Sequence, residues 1–168
     1  MFDPTAYENM KVVLEGAVYD RDLDGEIAVV DRNDTVNLAK LSRTFDITFS
    51  LKNKNFVKCS MALTARLENF AAELLPEMKL DQKAGAQIIV RFLIKHQTSP
   101  MIDQKIRDKL EEIWGKDREF KHLIFHDPFG KSNEISKEIT IHFRRIITEE
   151  HMDDLLEMVD YAVHTIEQ

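Results

Sequence analysis

The sequence contains little cysteine, glycine or tryptophan. Its 168 residues include one cysteine, five glycines and one tryptophan. A single thiol, Cys59, excludes an internal disulfide and a cysteine-based zinc site, and its apolar neighbours indicate a buried residue. The glycine-rich phosphate loop, the G-x-S-x-G elbow and the H-E-x-x-H helix are all absent. The sequence therefore favours a protein that is not an enzyme, and it predicts no cofactor.

Long apolar runs and targeting signals are missing as well. Hydrophobic residues make up 43% of the chain and charged residues 32%, which is typical of a soluble globular protein. The first residues, Met1 to Pro4, include an acid and lack the apolar run of a signal peptide. We therefore expect a cytoplasmic protein without membrane contact. A length of 168 residues indicates one domain that spans residues 1–168.

Negative charge is concentrated at the two ends of the chain. The net charge is −7, and residues 1–34 hold nine acidic residues against three basic ones. Residues 149–168 hold seven acidic residues and no lysine or arginine. The middle is mildly basic, but its one cluster of lysines, over residues 52–58, has the composition of a turn. Nucleic acid is therefore not expected as a partner, since phosphate binding needs clustered basic residues. The acidic ends are either solvated helix faces or a surface for a basic protein partner.

The spacing of apolar residues predicts both helices and antiparallel strands. Apolar residues three and four apart indicate a helix, and strict alternation indicates a strand. The predicted helices cover residues 4–15, with Asp3 as the cap and Gly16 at the end, residues 34–40, with Asp34 as the cap, residues 100–113, closed by Gly115, and the segment after Thr148. The predicted strands cover residues 44–51, 59–67, 87–96, 119–126 and 135–147, and a helical face follows the second of them.

This order implies an α+β fold. We expect an antiparallel sheet of about five strands, with helices packed mainly on one of its faces. The strand over 87–96 is apolar on both faces, which predicts a position near the middle of the sheet. The predicted core consists of Phe45, Ile47, Phe49, Leu63, Ile88, Val90, Phe92, Ile139, Ile141, Leu155 and Val159.

One segment resembles the calcium loop of an EF-hand. Its first, third and fifth positions are Asp20, Asp22 and Asp24, and its sixth is Gly25. These residue types supply oxygen ligands and a sharp turn. The twelfth position is Asp31, where the motif has a longer glutamate that provides two oxygens, and the residues before it are typical of a strand. The alternative is an ordinary hairpin loop between strands at 17–19 and 26–30, and we expect weak calcium binding at most.

A second group of possible metal ligands lies in the hairpin over 119–147. If Leu123 and Phe125 face the core together with Ile139, four polar residues share the other face. Imidazoles beside a carboxylate bind zinc or transfer protons. Two of the histidines are four residues apart on one strand, about 13 Å, so we expect no transition-metal site. The four residues are His122, His126, Glu138 and His142.

Candidate partner-binding residues lie at the end of the chain and in the third predicted helix. A tryptophan anchors many interfaces when it is exposed, and acidic side chains attract a basic partner. The candidates are Trp114, Glu149, Glu150, Asp153, Asp154 and Glu157. Met152, Val159 and Ile166 follow one another at seven-residue spacing and form either part of the core or the seam of a dimer.

These observations favour a non-enzymatic binding or regulatory protein that acts on a protein partner as a homodimer. Two alternatives remain open, a metal-dependent enzyme built on the histidines and a weak divalent-cation-binding module built on Asp20, Asp22, Asp24 and Asp31. The element order and the acidity are similar to those of small acidic secretion chaperones, with no shared motif. That resemblance implies a dimer that holds unfolded segments of a client protein.

Overall fold

The chain forms an antiparallel sheet with helices mainly on one face, as the α+β prediction requires. A computed structural model describes residues 5–75 and 83–168. Within these residues the sheet has six strands rather than the expected five. The helices are α1 (Thr5–Leu23), α2 (Leu67–Leu74), α3 (Pro100–Trp114) and α4 (Met152–Glu167), with a 3₁₀ turn at Glu149–His151. The strands are β1 (Ile27–Asn37), β2 (Ser42–Leu51), β3 (Lys54–Ala65), β4 (Ala86–Gln97), β5 (Glu119–Phe125) and β6 (Glu134–Ile147).

The strands are arranged in the order β1-β2-β3-β4-β6-β5, and every neighbouring pair is antiparallel. β4 lies between β3 and β6, which confirms the interior position predicted from its two apolar faces. β1 and β5 form the two edges of the sheet.

Alternate residues along the strands point toward the helices and form the core. Every residue of the predicted core is at most 1% exposed. We call this side of the sheet the covered face, and the opposite side, which carries mostly polar side chains, the open face. Cys59 is completely buried on the covered face, as predicted, and burial raises the pKa of its thiol.

Helix α1 continues seven residues beyond Gly16, so the predicted helix end was wrong. Leu14 and Val18 are both completely buried, and they continue one apolar stripe across the glycine. An interior glycine costs a helix about 0.5–1 kcal/mol. Burial of a valine side chain contributes more than this, about 1.5 kcal/mol or more. Asp3 and Pro4, the predicted start signals, lie outside the described residues.

The predicted short helix over 34–40 is also wrong, because residues 34–37 belong to β1. They pair with β2 from Asp34 opposite Phe45 to Asn37 opposite Ser42. The Asp34 carboxylate bonds to Lys11 and Arg43 instead of capping a helix. β1 is therefore the sixth strand of the sheet. The sequence pattern did not predict a strand over the whole of residues 27–37.

The later elements of the predicted chain order, from residue 44 onward, agree with the structure to within a few residues. Pro100 stands at the start of α3, and Gly115, with a φ of 93°, follows its last residue. The helical face after residue 67 is α2, and the C-terminal stripe is α4. None of the helices within the described residues has both the length and the apolar character needed to cross a membrane.

Candidate functional site

The EF-hand-like segment runs from the end of α1 into β1. Asp20 and Asp22 lie in the helix, so the predicted hairpin strand over 17–19 is wrong as well. A tight turn follows, in which the backbone N–H of Gly25 donates to the Asp22 carbonyl at 3.0 Å. The Asp22 carboxylate accepts the backbone N–H of Val29, also at 3.0 Å. The geometry is therefore that of a helix joined to a strand, with one predicted ligand already bonded to the backbone.

Asp31 is positioned apart from this turn, on the edge strand β1. A register shift between Val29 and Asp31 interrupts the pairing of β1 with β2. The Asp31 carboxylate accepts the N–H of Arg32 at 2.9 Å and the Asn33 amide at 3.0 Å. In the part of the chain that the structure describes, no group of three or more His, Cys, Asp or Glu side chains is arranged to hold a metal ion.

The pairing of β5 with β6 separates the four residues of the predicted histidine site. His122 lies opposite Ile139, and Leu123 lies opposite Glu138. The expectation that Leu123 and Phe125 face the core was therefore wrong, since Ile139 is opposite His122 and both Leu123 and Phe125 share the open face with Glu138. His122 lies on the covered face, whereas Glu138 and His142 lie on the open face. His126 lies in the loop after β5.

A polar cluster that the sequence reasoning missed lies beneath α3, and His122 is near it. Lys137 of β6 has a side chain only 4% exposed, and its Nζ is 2.5 Å from Oδ1 of Asp103 in α3. The hydrogen bond from Lys137 lowers the pKa of Asp103. Nε2 of His96 lies 3.9 Å from the same carboxylate oxygen. Burial, followed by the charges of Lys137 and Arg107, lowers the pKa of His122.

The alternation of residues along β4 and β6 could have predicted part of this cluster. The alternation that directs Ile139 and Ile141 to the covered face also directs Lys137 there, and the alternation of β4 does the same for His96. Asp103 stands in the first turn of α3, where acidic residues are favoured in any helix. Its position gave no reason to connect it with the sheet.

A groove lies beside this cluster, between α3 and the adjoining ends of β3, β4 and α4. Its volume is about 290 Å³. Its floor is apolar, and four lysines border it, Lys54, Lys95, Lys105 and Lys109. We call it the lysine-rimmed groove. His96 also lines it, and no aspartate or glutamate is among the described residues that do.

Strand β5 presents consecutive apolar residues at a free edge of the sheet. Leu123, Ile124 and Phe125 are 43%, 58% and 55% exposed. We call these three residues the β5 edge patch. Among the described strands, only β6 pairs with β5.

A larger apolar groove of about 610 Å³ lies between α2 and the β1–β2 turn. Leu74 and Leu75 line it, and residues 76–82, which follow them directly, lie outside the described residues. This groove therefore supports no functional assignment.

Trp114 is not available as an exposed anchor. It is 7% exposed, and its Nε1 donates a hydrogen bond to Oγ1 of Thr165 at 3.0 Å. Its ring packs against those of Phe92, Phe143 and Tyr161. The tryptophan therefore fills the space between α3, the sheet and α4.

Of the two alternatives for the stripe on α4, the core and a dimer seam, the structure supports the core. Val159 and Ile166 are 1% and 3% exposed, and Met152 packs against the core. Two of the acidic candidates have intramolecular partners, Asn9 for Glu149 and Arg145 for Asp154. Three others are exposed and form no ion pair with any described residue, namely Glu150, Asp153 and Glu157. The acidic partner surface remains a prediction.

Comparison with known proteins assigns no family to this chain. No family model, curated protein or solved structure matches it. Its function must therefore be inferred from its own surfaces, of which the β5 edge patch and the lysine-rimmed groove are the most specific.

Proposed function

We propose that this protein is a non-enzymatic, cytoplasmic binding protein that forms a homodimer through strand β5. The β5 edge patch is the observation that carries the proposal. A free strand edge offers unpaired backbone N–H and C=O groups, and exposed apolar side chains beside them favour pairing with another strand. The cytoplasmic location rests on the single cysteine, whose buried thiol requires no oxidising compartment.

The contrast between the two sheet edges supports the choice of β5. β1 carries charged residues at its centre, Asp31, Arg32 and Asp34, and its pairing with β2 is interrupted by a register shift. Charges and bulges are the features that protect an edge strand from pairing with another chain. β5 pairs with β6 through all seven of its residues without a register shift, and the end of the strand is apolar.

A second copy of the same strand is the partner that this edge fits best. Antiparallel pairing of identical strands has two-fold symmetry, which is the commonest symmetry of protein dimers. Leu123 and Phe125 lie on the open face and Ile124 on the covered face, so pairing buries apolar surface on both sides. The strand contains one acid, Glu119, and one base, Lys121, so two copies meet with little repulsion even though the protein is acidic.

A dimer of this kind joins the two sheets into one continuous sheet and leaves both α4 helices on its surface. Each α4 region then offers the exposed carboxylates of Glu150, Asp153 and Glu157 to a basic protein partner. The dimer interface and the partner surface involve different elements, so each can be tested separately.

Sedimentation equilibrium tests the dimer directly. We expect the protein to sediment at twice the 19.6 kDa mass of the chain. The double variant Leu123→Lys/Ile124→Lys places ammonium groups on both faces of the strand, and we expect it to sediment as a monomer with unchanged circular dichroism. The matched control is Leu38→Lys, at an 81% exposed leucine in the turn after β1, and we expect it to remain a dimer.

Three results would count against the proposal. A wild-type protein that is monomeric at about 100 μM would exclude a stable dimer at this edge. A double variant that remains dimeric would move the interface elsewhere. If the protein were a monomer that binds extended peptides through β5, and the double variant lost that binding, the partner of β5 would be a segment of another protein and not a second copy.

A further inference from the structure

The lysine-rimmed groove combines an apolar floor with a positively charged border. α3 contributes Ile106 and Leu110 to the lining, and the sheet contributes Val57, Phe92 and Ile94. Ile106, Val57 and Ile94 are only partly buried, so apolar surface remains accessible inside the groove. An apolar ligand surface placed here would be removed from water, which favours binding.

The charged side chains among the residues that line the groove are all lysines, although the protein as a whole is acidic. Lys54 borders it on the strand side, and Lys105 and Lys109 on the α3 side, whereas the alternation of β4 directs the Lys95 side chain to the open face. Lys109 is 3.3 Å from Glu112, while the other three lysines form no ion pair with any described side chain. A concave site with one sign of charge concentrates ligands of the opposite sign.

A buried histidine nitrogen at this groove lacks a hydrogen-bond partner. The His96 side chain is 10% exposed, and its Nε2 is completely buried and has no partner among the described residues. Nδ1 is 2.7 Å from the carbonyl oxygen of Gln97, and because a carbonyl only accepts, Nδ1 carries the proton. Nε2 of the neutral ring is therefore an unused acceptor. The charged group beside this nitrogen is Asp103, whose Oδ1 lies 3.9 Å from Nε2 and is paired with Lys137.

We infer that the lysine-rimmed groove binds a single-chain aliphatic carboxylate of the medium-chain fatty acid type. The apolar floor accommodates the hydrocarbon chain, and the lysines attract the carboxylate. The carboxylate carries no proton at neutral pH, so Nε2 takes one from the solvent as the ligand binds, and the N–H formed in this way donates to the carboxylate. A volume of about 290 Å³ is at the lower limit for small-molecule sites, which favours one acyl chain over two.

This site is separate from the proposed dimer interface. The groove is formed by α3, β3, β4 and α4, whereas the interface is on β5. Loss of the dimer in the β5 double variant should therefore leave ligand binding unchanged, and the two proposals can fail independently.

Titration with sodium decanoate, kept below its micelle concentration, is the direct test. Isothermal calorimetry measures the affinity, and the fluorescence of Trp114 reports binding at the groove, because Thr165, its hydrogen-bond partner, lines the groove. We expect the affinity to rise roughly fourfold for each added methylene from hexanoate upward, until the chain exceeds the groove. Decanol and decyltrimethylammonium are the neutral and cationic controls, and we expect both to bind at least about tenfold more weakly.

Charge-reversal variants test the border. Lys105→Glu/Lys109→Glu should weaken decanoate binding by about tenfold or more, because two attractive charges become repulsive. The matched control is Lys40→Glu, which changes a lysine in the turn at the opposite end of β2 and should leave the affinity unchanged. Equal binding of decanoate, decanol and decyltrimethylammonium, no binding of decanoate at millimolar concentration, or an equal loss in Lys40→Glu would overturn the inference.

The variant His96→Phe tests the role of the histidine. It keeps an aromatic ring at this position and removes both nitrogens, so we expect decanoate to lose part of its advantage over decanol, while the lysines preserve the rest. Calorimetry in buffers of different ionisation enthalpy should show proton uptake on decanoate binding to the wild type and none in the variant. Proton uptake that persists in His96→Phe would remove the histidine from the site. Near-ultraviolet circular dichroism confirms that each variant is folded.

Discussion

At the scale of single residues, an ion-pair network connects α1 to the β1–β2 hairpin. Arg43 bonds to Glu8 of α1 and to Asp34 of β1, and Lys11 of α1 is 2.7 Å from the same Asp34. The Arg43 guanidinium also lies 5.0 Å from the ring centre of Tyr7, which is buried. Burial raises the pKa of Tyr7 well above its usual value, so its hydroxyl stays protonated. The network therefore attaches the edge strand β1 to the helical layer.

Asp34 makes this network sensitive to acid. The hydrogen bond from Arg43, assisted by the one from Lys11, lowers the pKa of Asp34 from 3.8 to about 2 in the folded protein. A lowered folded-state pKa adds stability that is complete above the unfolded value and is lost as the pH falls through the folded value. We expect Asp34→Asn to lower the free energy of unfolding by about 1–2 kcal/mol at pH 7, after allowance for solvent screening.

Urea unfolding at several pH values measures this effect. The difference between the wild type and Asp34→Asn should shrink as the pH falls from about 4 to about 2. Asp117→Asn, which changes an exposed acid without an ion partner among the described residues, is the control and should show no such trend. A constant difference at every pH would mean that Asp34 acts through packing rather than through its charge.

At the scale of elements, two glycines differ in the space that is available for a side chain. A Cβ built on Gly85, just before β4, would lie 2.0 Å from the backbone carbonyl oxygen of Ile147 at the end of β6. A Cβ built on Gly16 inside α1 would meet nothing within 4 Å. Gly85 therefore permits close contact between two chain segments, while Gly16 lowers the stability of a helix without any steric reason for a glycine there.

Alanine substitutions should therefore have opposite signs at these two positions. We expect Gly85→Ala to destabilise the protein by about 2 kcal/mol or more, since a backbone atom must move to make room for the methyl group. We expect Gly16→Ala to stabilise it by about 0.5–1 kcal/mol, the difference in helix propensity. Thermal unfolding of both variants provides the comparison, and a stabilised Gly85→Ala would show that β4 and β6 do not approach as described.

At the scale of the whole molecule, net charge and the proposed dimer act against each other. Each copy carries a charge of −7, so two copies repel one another at long range. The β5 interface is apolar at its end, and Glu119 is already paired with Arg144 of the same chain. Salt should therefore screen the repulsion without weakening the interface itself.

The dimer dissociation constant should consequently decrease as sodium chloride is raised. We expect a decrease of a few-fold between about 50 mM and about 500 mM, because the Debye length shrinks to a few ångströms over this range. Sedimentation velocity at a series of salt concentrations measures it. A dissociation constant that increases with salt would indicate an interface built from ion pairs, for which the acidic surface of α4 is the better candidate.

The sequence by itself determined those elements whose signals are local. Strict alternation identified β2, β4 and β6, and the proline and glycine that bound α3 marked its two ends. The same alternation, together with the helical stripe of α4, identified a core whose residues are at most 1% exposed. These predictions succeeded because a period of two or of 3.6 residues directs side chains to one side whatever the rest of the chain does.

Only the tertiary structure decided the features that depend on pairing between distant segments. Residues 34–37 form a strand because β2 is beside them, and a short polar segment has little preference of its own. The partition of His122 and Glu138 between two faces follows from the β5–β6 register, where a shift of one residue reverses every side chain. The free edge of β5 follows from the strand order. The lysine-rimmed groove exists because α3 lies over the ends of β3 and β4, a long-range packing that no local pattern encodes.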